Sequence, residues 1–146
     1  MSCQCNCNQN NSKTNLLTVN LPRQTMMNSD YRQVLWTGDY MQITMMCIPI
    51  RSDIGLEIHE ETDQILRVEH GYGQVRMGYK KNELNFVQNV RQGDIICIPA
   101  CTWHNVINIG NRPLRLSSMY APPHHPAGAS QHTKNRDKEN KDCCDR

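Results

Sequence analysis

The sequence predicts an all-β domain, and three observations carry that prediction. Between residues 16 and 126 the apolar residues come in short runs of β character rather than at sustained helical spacing. Turn-forming Gly, Pro, Asn and Asp separate those runs about every 8 to 12 residues, the spacing of a sandwich or barrel. Only the neighbourhood of Asn28-Ser29-Asp30 offers capping residues for a helix, and that helix would be one short turn.

The expected strands follow in order. Val34 to Thr37 leads through the Gly38-Asp39 turn into Gln42 to Ile50. Ile54 to His59 comes next, then Gln64 to Val68, then Gln74 to Met77. After Lys81-Asn82 come Leu84 to Val90, Asp94 to Ile98, His104 to Ile109 and Leu114 to Tyr120. The flanks read differently. Residues 1–15 are Asn, Gln, Cys and Ser with almost no apolar content, and residues 127–146 are polar and charged. Neither can bury enough apolar surface to offset the entropy of ordering, so both are expected to be disordered tails around one domain at 16–126.

Composition narrows the function classes. A chain of 146 residues has room for one compact domain with a real core. The net charge of +2 is small and of mixed sign, which points away from nucleic acid and from membrane surfaces as partners. No apolar run approaches the roughly 20 residues of a membrane span. The stretch Met1-Ser2-Cys3-Gln4-Cys5 lacks the basic and apolar regions of a secretory signal, so a soluble cytoplasmic protein is expected. Of eight cysteines, Cys3, Cys5, Cys7, Cys143 and Cys144 lie in the tails, while Cys47, Cys97 and Cys101 lie in the apolar middle. That distribution does not staple ordered loops together. Adjacent cysteines, or cysteines two apart, pair with each other only under strain. The tail thiols are therefore candidates for cross-linking to other chains or for binding soft metal ions. Cys47 and Cys97 alternate with apolar neighbours and read as small core residues.

Polar chemistry concentrates in two stretches. In Ile54 to His59, the period of two sets Gly55, Glu57 and His59 on one face and Ile54, Leu56 and Ile58 on the other. If the polar face lines a barrel interior, the aliphatic face needs a cover. A second subunit is the simplest one, so a homodimer is expected.

The second stretch runs from Gly93 through Pro99 to His104 and Asn108. It resembles the second signature of the cupin superfamily: Gly, five residues, Pro, one residue, Gly, two residues, His, three residues, Asn. Gly93, Pro99, His104 and Asn108 occupy the fixed positions, and Cys101 stands at the second Gly. The first cupin signature has His-x-His, then Glu, then Gly; Glu57, His59, Gln64 and Gly71 stand at those places with the matching spacing. The segment from about Leu35 to Pro126 is also similar to small single-domain cupins described as mannose-6-phosphate-isomerase-like. Gly55-Leu56-Glu57-Ile58-His59, Asp63-Gln64, Thr102-Trp103-His104 and Tyr120-Ala121-Pro122-Pro123 carry that likeness.

The resemblance implies a double-stranded β-helix (jelly-roll barrel) in which Glu57, His59, Gln64 and His104 surround one divalent ion. Two imidazoles, a carboxylate and an amide oxygen make a mixed nitrogen–oxygen set suited to Fe, Mn, Ni, Zn or Co. Without an ion, the same four residues would form a hydrogen-bonded polar cluster. Bland readings suit the neighbours. Cys101 reads as a surface turn residue, or else a thiol at the pocket rim. Asp63 and Arg67 flank Gln64, and an ordinary charge pair with Glu69 is the expected role there. His70 is expected in solvent and Trp103 as a cap on the barrel, with His124, His125 and His132 outside the site.

Three functions fit. The first is a metal-dependent cupin acting on a small molecule by isomerase- or dioxygenase-type chemistry, with Glu57 as candidate acid or base. In the second, the domain is a folded module whose cysteine-bearing tails cross-link a layer such as a bacterial spore coat or exosporium. In the third, Cys3, Cys5 and Cys7 form a thiolate chelator that handles Cu(I) or Zn.

Overall fold

The computed structural model describes residues 15–134. Cys3, Cys5, Cys7, Cys143 and Cys144, with the cross-linking and chelating roles expected of them, lie outside the described residues. Helix α1 (Leu21–Met27) precedes eight strands: β1 (Arg32–Thr37), β2 (Gln42–Ile48), β3 (Asp63–His70), β4 (Tyr72–Gly78), β5 (Phe86–Arg91), β6 (Ile95–Ile98), β7 (Trp103–Asn108) and β8 (Leu114–Ala121). A two-residue strand β9 (Ser130–Gln131) follows. One sheet has the order β6-β3-β8-β2-β1-β9 and the other β5-β4-β7. Among the described residues every pair of neighbouring strands is antiparallel, and chain neighbours such as β5 and β6 fall in different sheets. The all-β jelly roll read from the sequence is the fold observed.

The core lies between the two sheets. Met46, Leu66, Leu114 and Leu116 of the larger sheet meet Val75, Val90 and Val106 of the smaller one, all buried. Alternation along β3 accounts for its face: Gln64, Leu66 and Val68 turn inward while Asp63 and Ile65 reach solvent. Asn108 closes one end. Its Nδ2 donates to the carbonyls of Ile48, Pro49 and Arg112, and its Oδ1 accepts from the Gly110 N–H. The last residue of the sequence motif is therefore a structural staple rather than part of a pocket.

Four expectations are corrected. The helix lies upstream of Asn28: Asn20 caps it by accepting from the Arg23 N–H at 3.0 Å, Pro22 suits its first turn, and Asn28 ends it. The boundary at 126 moves outward, because Ser130 and Gln131 pair with Gln33 and Arg32, and the Val34 N–H donates to the Ala129 carbonyl. Cys97 is exposed rather than core, since its partner in β3 is the outward-facing Ile65.

The fourth correction concerns Ile54 to His59, which is not a strand. It runs along β7 through two isolated bridges, Asp53 with Ile107 and Glu57 with His104. The chain advances four residues on one side and three on the other, so one extra residue must bulge out. Gly55, at φ +84°, takes up the excess. The bulge breaks the period of two. Ile54 turns into the core, while Glu57 and His59 still turn inward and Leu56 and Ile58 are half-buried. The continuous outward aliphatic face expected for a dimer is absent from this segment. Apolar surface lies instead along a cleft of about 780 Å³ between the free edges of β5 and β6, where Phe86, Ile95 and Tyr79 are exposed.

Candidate metal centre

Two elements converge on one point inside the barrel. The bulged segment brings Glu57 and His59, and β7 brings His104. Reciprocal backbone hydrogen bonds, Glu57 N–H to His104 O at 3.0 Å and His104 N–H to Glu57 O at 2.9 Å, fix the two side by side. The Cys101 N–H donates to the His59 carbonyl at 2.8 Å and sets the height of that residue. His59 Nε2 lies 3.5 Å and His104 Nε2 3.4 Å from Glu57 Oε1. All three donor atoms lie within 4.8 Å of one another.

Those spacings are longer than a good hydrogen bond, which for N–H···O is about 2.7–3.2 Å. They match a shared ion instead. Two donors each about 2.1 Å from a metal and at right or tetrahedral angles are roughly 3.0–3.4 Å apart. The unpartnered atoms carry the same message. Glu57 Oε1, His59 Nε2, His104 Nε2 and Gln64 Oε1 are all buried without a hydrogen-bond partner. Buried polar atoms normally find partners, and four orphans of ligand type in one region are a costly arrangement unless an ion satisfies them. His104 is also held in the tautomer a ligand needs. Its Nδ1 lies 2.8 Å from the Thr102 carbonyl, so Nδ1–H donates there and the Nε2 lone pair faces the cluster. The donor set fits a divalent ion.

Gln64 enters from β3. Its Nε2 donates to Ser118 Oγ at 2.9 Å, which directs Oε1 away from that bond. It sits in register beside Tyr120 of β8, whose ring centroid is 5.6 Å from that of His59. The structure thus joins Glu57, His59 and His104 directly and sets Gln64 on the same inner surface. Asp63 and Arg67 stay outside: Asp63 Oδ1 accepts from the Ala100 N–H, and Arg67 Nη1 lies 3.5 Å from Glu69 Oε1 in the expected pair. Trp103 is buried at the barrel end with Lys81 Nζ 5.2 Å over its ring, whereas His70 is half-buried rather than solvated. Cys101 is exposed, at φ +59°, on the surface turn foreseen for it.

Sequence reasoning missed four residues at this centre. Tyr120 is fully buried, and burial pushes its phenol up to about 12. The His124 ring lies against that of His59, tilted by 57° with centroids 4.1 Å apart, and His125 Nε2 lies 3.4 Å from the Tyr120 hydroxyl. Burial, with Arg32 nearby, lowers His125 to about 3 and keeps it neutral. These two histidines look solvated in a Pro-rich exit segment, but buried Gln42 pins that segment down. Gln42 Oε1 accepts from the N–H groups of His124 and His125, and its Nε2 donates to the His125 carbonyl at 2.7 Å. The fourth is Arg32 on β1, whose Nη2 lies 3.9 Å from Glu57 Oε2. Burial alone would raise the Glu57 pKa. The facing imidazoles of His104 and His59 and the Arg32 guanidinium outweigh it and hold the carboxyl well below its usual range.

The sequence of this barrel can now be set beside others. A family model described as a cupin domain matches residues 44–120, more than half of the chain. The chain belongs to the cupin family. Over 116 residues it is 53% identical to the YrkC protein of Bacillus subtilis (strain 168), a match covering 80% of this chain. The chain spans only 62% of YrkC's length. It is 34% identical over 118 residues to the L612 protein of Acanthamoeba polyphaga mimivirus, covering 80% of this chain and 72% of L612. The crystal structure of BH2720 from Bacillus halodurans superposes with a TM-score of 0.81 at 49% identity, over 83% of this chain and 92% of that one. As a cupin, the chain carries its candidate ligands where the family's two motifs meet. Among the described residues, no helix is long and apolar enough to cross a membrane.

Proposed function

We propose that this cupin binds one divalent metal ion through Glu57, His59, His104 and Gln64 and acts there on a small molecule. The observation carrying the proposal is the set of three buried, unpartnered ligand atoms of Glu57, His59 and His104 within 4.8 Å of one another, with the unpartnered Gln64 Oε1 on the same inner surface. When bound, the ion would supply Lewis-acid polarisation of a substrate oxygen. The chain's own residues hold the ion and order the groups around it. Glu57, kept ionised, has no proton to donate, which removes the acid role and suits it to holding the ion. Tyr120, kept protonated, can donate a hydrogen bond, and neutral His125, 3.4 Å from its hydroxyl, can accept one. Gln42 holds the backbone of His124 and His125 and so keeps their rings beside His59 and Tyr120.

The test is elemental analysis of purified protein before and after dialysis against a chelator, repeated with His104→Ala. About one transition-metal ion per chain, lost in the variant, supports the reading. Protein that carries no ion and takes up none on titration refutes it.

A homodimer remains part of this proposal, now supported by a different surface. The apolar cleft between the edges of β5 and β6 exposes Phe86 and Ile95, and unpaired strand edges are poorly tolerated when left open. Sedimentation equilibrium giving twice the 16.9 kDa chain mass, and the chain mass itself for Phe86→Glu, is the expected result.

A further inference from the structure

We propose that a cavity at the end of the barrel remote from the metal centre binds a phosphate group, free or as the monoester of a small molecule, through Arg91 and Arg112. This site stands apart from the metal reading and does not depend on it. Arg91, Arg112, His70 and Tyr72 line a cavity of about 310 Å³ together with Gly71 and Gly110. Gln64 lies near one end of β3 and His70 at the other, and six residues at about 3.3 Å each put them roughly 20 Å apart. Along β7 the Gly110 turn is likewise at the opposite end from His104.

Three elements deliver the basic residues. His70 is the last residue of β3, Arg91 the last of β5, and Arg112 lies in the turn between β7 and β8. Their backbones are tied down. The Arg91 N–H donates to Asp94 Oδ2 at 2.9 Å, and the Arg112 carbonyl accepts from Asn108 Nδ2 at 2.8 Å. The side chains are left uncommitted: neither guanidinium has a hydrogen bond or an ion pair among the described residues, and His70 Nδ1 is buried without a partner.

Charge sets the class of ligand. Among the described residues no Asp or Glu lines the cavity. The acids closest in sequence are engaged elsewhere, with Glu69 Oε1 accepting from Ser117 Oγ at 2.7 Å and Asp94 Oδ2 taking the Arg91 N–H. Two unpaired guanidiniums at one cavity therefore leave a local positive excess. A phosphate group carries about −1.5 to −2 charge at pH 7 and three strong acceptor oxygens, so it can engage both forks, whereas one carboxylate fills only one. The volume lies at the lower end for small-molecule pockets, which begin near 300 Å³, so an organic remainder fits beside the phosphate. Tyr72, opposite Arg91 in the sheet register and 42% exposed, gives that remainder a flat wall.

The test is titration of the full chain in chelator, so that no metal competes for phosphate, followed by backbone amide NMR. The probes are inorganic phosphate, glycerol 3-phosphate and, as a neutral control, glycerol. Saturable shifts at Gly71, Tyr72, Gly110 and Arg112 with a phosphate probe, and none with glycerol, are expected. Tighter binding of glycerol 3-phosphate than of inorganic phosphate identifies a monoester site, and the reverse order a site for the free anion. Arg91→Gln and Arg112→Gln should each weaken binding about tenfold. Both residues are exposed, so both variants should fold. Should either fail to fold, the response of the natural chain to the probes still decides. Phosphate that moves no amide of this cavity, or moves only residues around Glu57 and His104, would overturn the assignment. So would full affinity in the Arg91→Gln and Arg112→Gln proteins.

Discussion

Replacing Gln64 by Glu would restore the residue type of the family motif, and the structure predicts opposite effects with and without metal. Gln64 is 2% exposed, and its one side-chain hydrogen bond is to Ser118 Oγ. In the metal-free protein a carboxylate there gains at most one bond, from the Ser118 hydroxyl turning to donate. It also shares the pocket region with ionised Glu57. Burial of this kind raises a carboxyl pKa by up to about 3–5 units. Taking about two units, the cost at neutral pH is about 3 kcal/mol at 1.36 kcal/mol per unit. For a domain of this size that lowers Tm by roughly 10 °C. The pH dependence has a definite sign. A raised folded-state pKa means that the native state binds the extra proton, so the penalty is absent below about pH 4 and grows as pH rises toward the folded value. With a divalent ion present, the added charge becomes a ligand and the sign reverses. At an effective dielectric near 20, a carboxylate against a divalent ion is worth several kcal/mol. Calorimetric scans of Gln64→Glu and the natural chain, in chelator and in excess Co(II), check this. Destabilisation in chelator together with a larger metal-induced rise in Tm is expected. Equal destabilisation under both conditions would refute the placement of Gln64 among the ligands.

Three further outcomes follow from other parts of the molecule. Asn108→Ala removes three donated bonds and one accepted bond at a buried position, so it should cost about 2–4 kcal/mol in urea unfolding without changing metal stoichiometry. Cys101→Gly relieves a non-glycine residue held at φ +59° and should be neutral to stabilising by up to about 1 kcal/mol in the same assay, provided the exposed thiol's contact with the Glu60 carbonyl at 3.3 Å is weak. Asp30 accepts hydrogen bonds from Ser130 Oγ and His132 Nδ1, both at 2.6 Å, and these lower its pKa. That stabilisation is present above the ordinary Asp value of about 4 and is lost as pH falls through the lower folded value. Backbone NMR shifts of Ser130 and Gln131 should therefore report release of β9 on acidification, and at all pH values in Asp30→Ala.

Much of the barrel was legible because its signals are local. Alternation in β3 and β8, and Gly or Asn at the turns, announce strands wherever one face is buried and the other wet. The spacing of Gly93, Pro99, His104 and Asn108 likewise survives reading in one dimension, since it lies within one turn and one strand. The helix was misplaced by a competing cap: Asn20 followed by Pro22 starts a helix better than Ser29 or Asp30 does. Strand β9 was invisible, since two residues of Ser and Gln carry no periodicity and are held by β1 alone.

The sequence by itself determined the fold class and the identity of the ligand types, because residue chemistry and two-residue periodicity are properties of the chain. Only the tertiary structure decided which side chains share the pocket. Glu57 and His59 point inward through a one-residue bulge at Gly55, a slip visible only when the segment is laid against β7. Arg32, Tyr120, His124 and His125 reach the site from strands and an exit segment far from either motif, brought there by pairing across the sheet and by the buried amide of Gln42. Such contacts depend on how distant strands pair and pack, which no local pattern encodes.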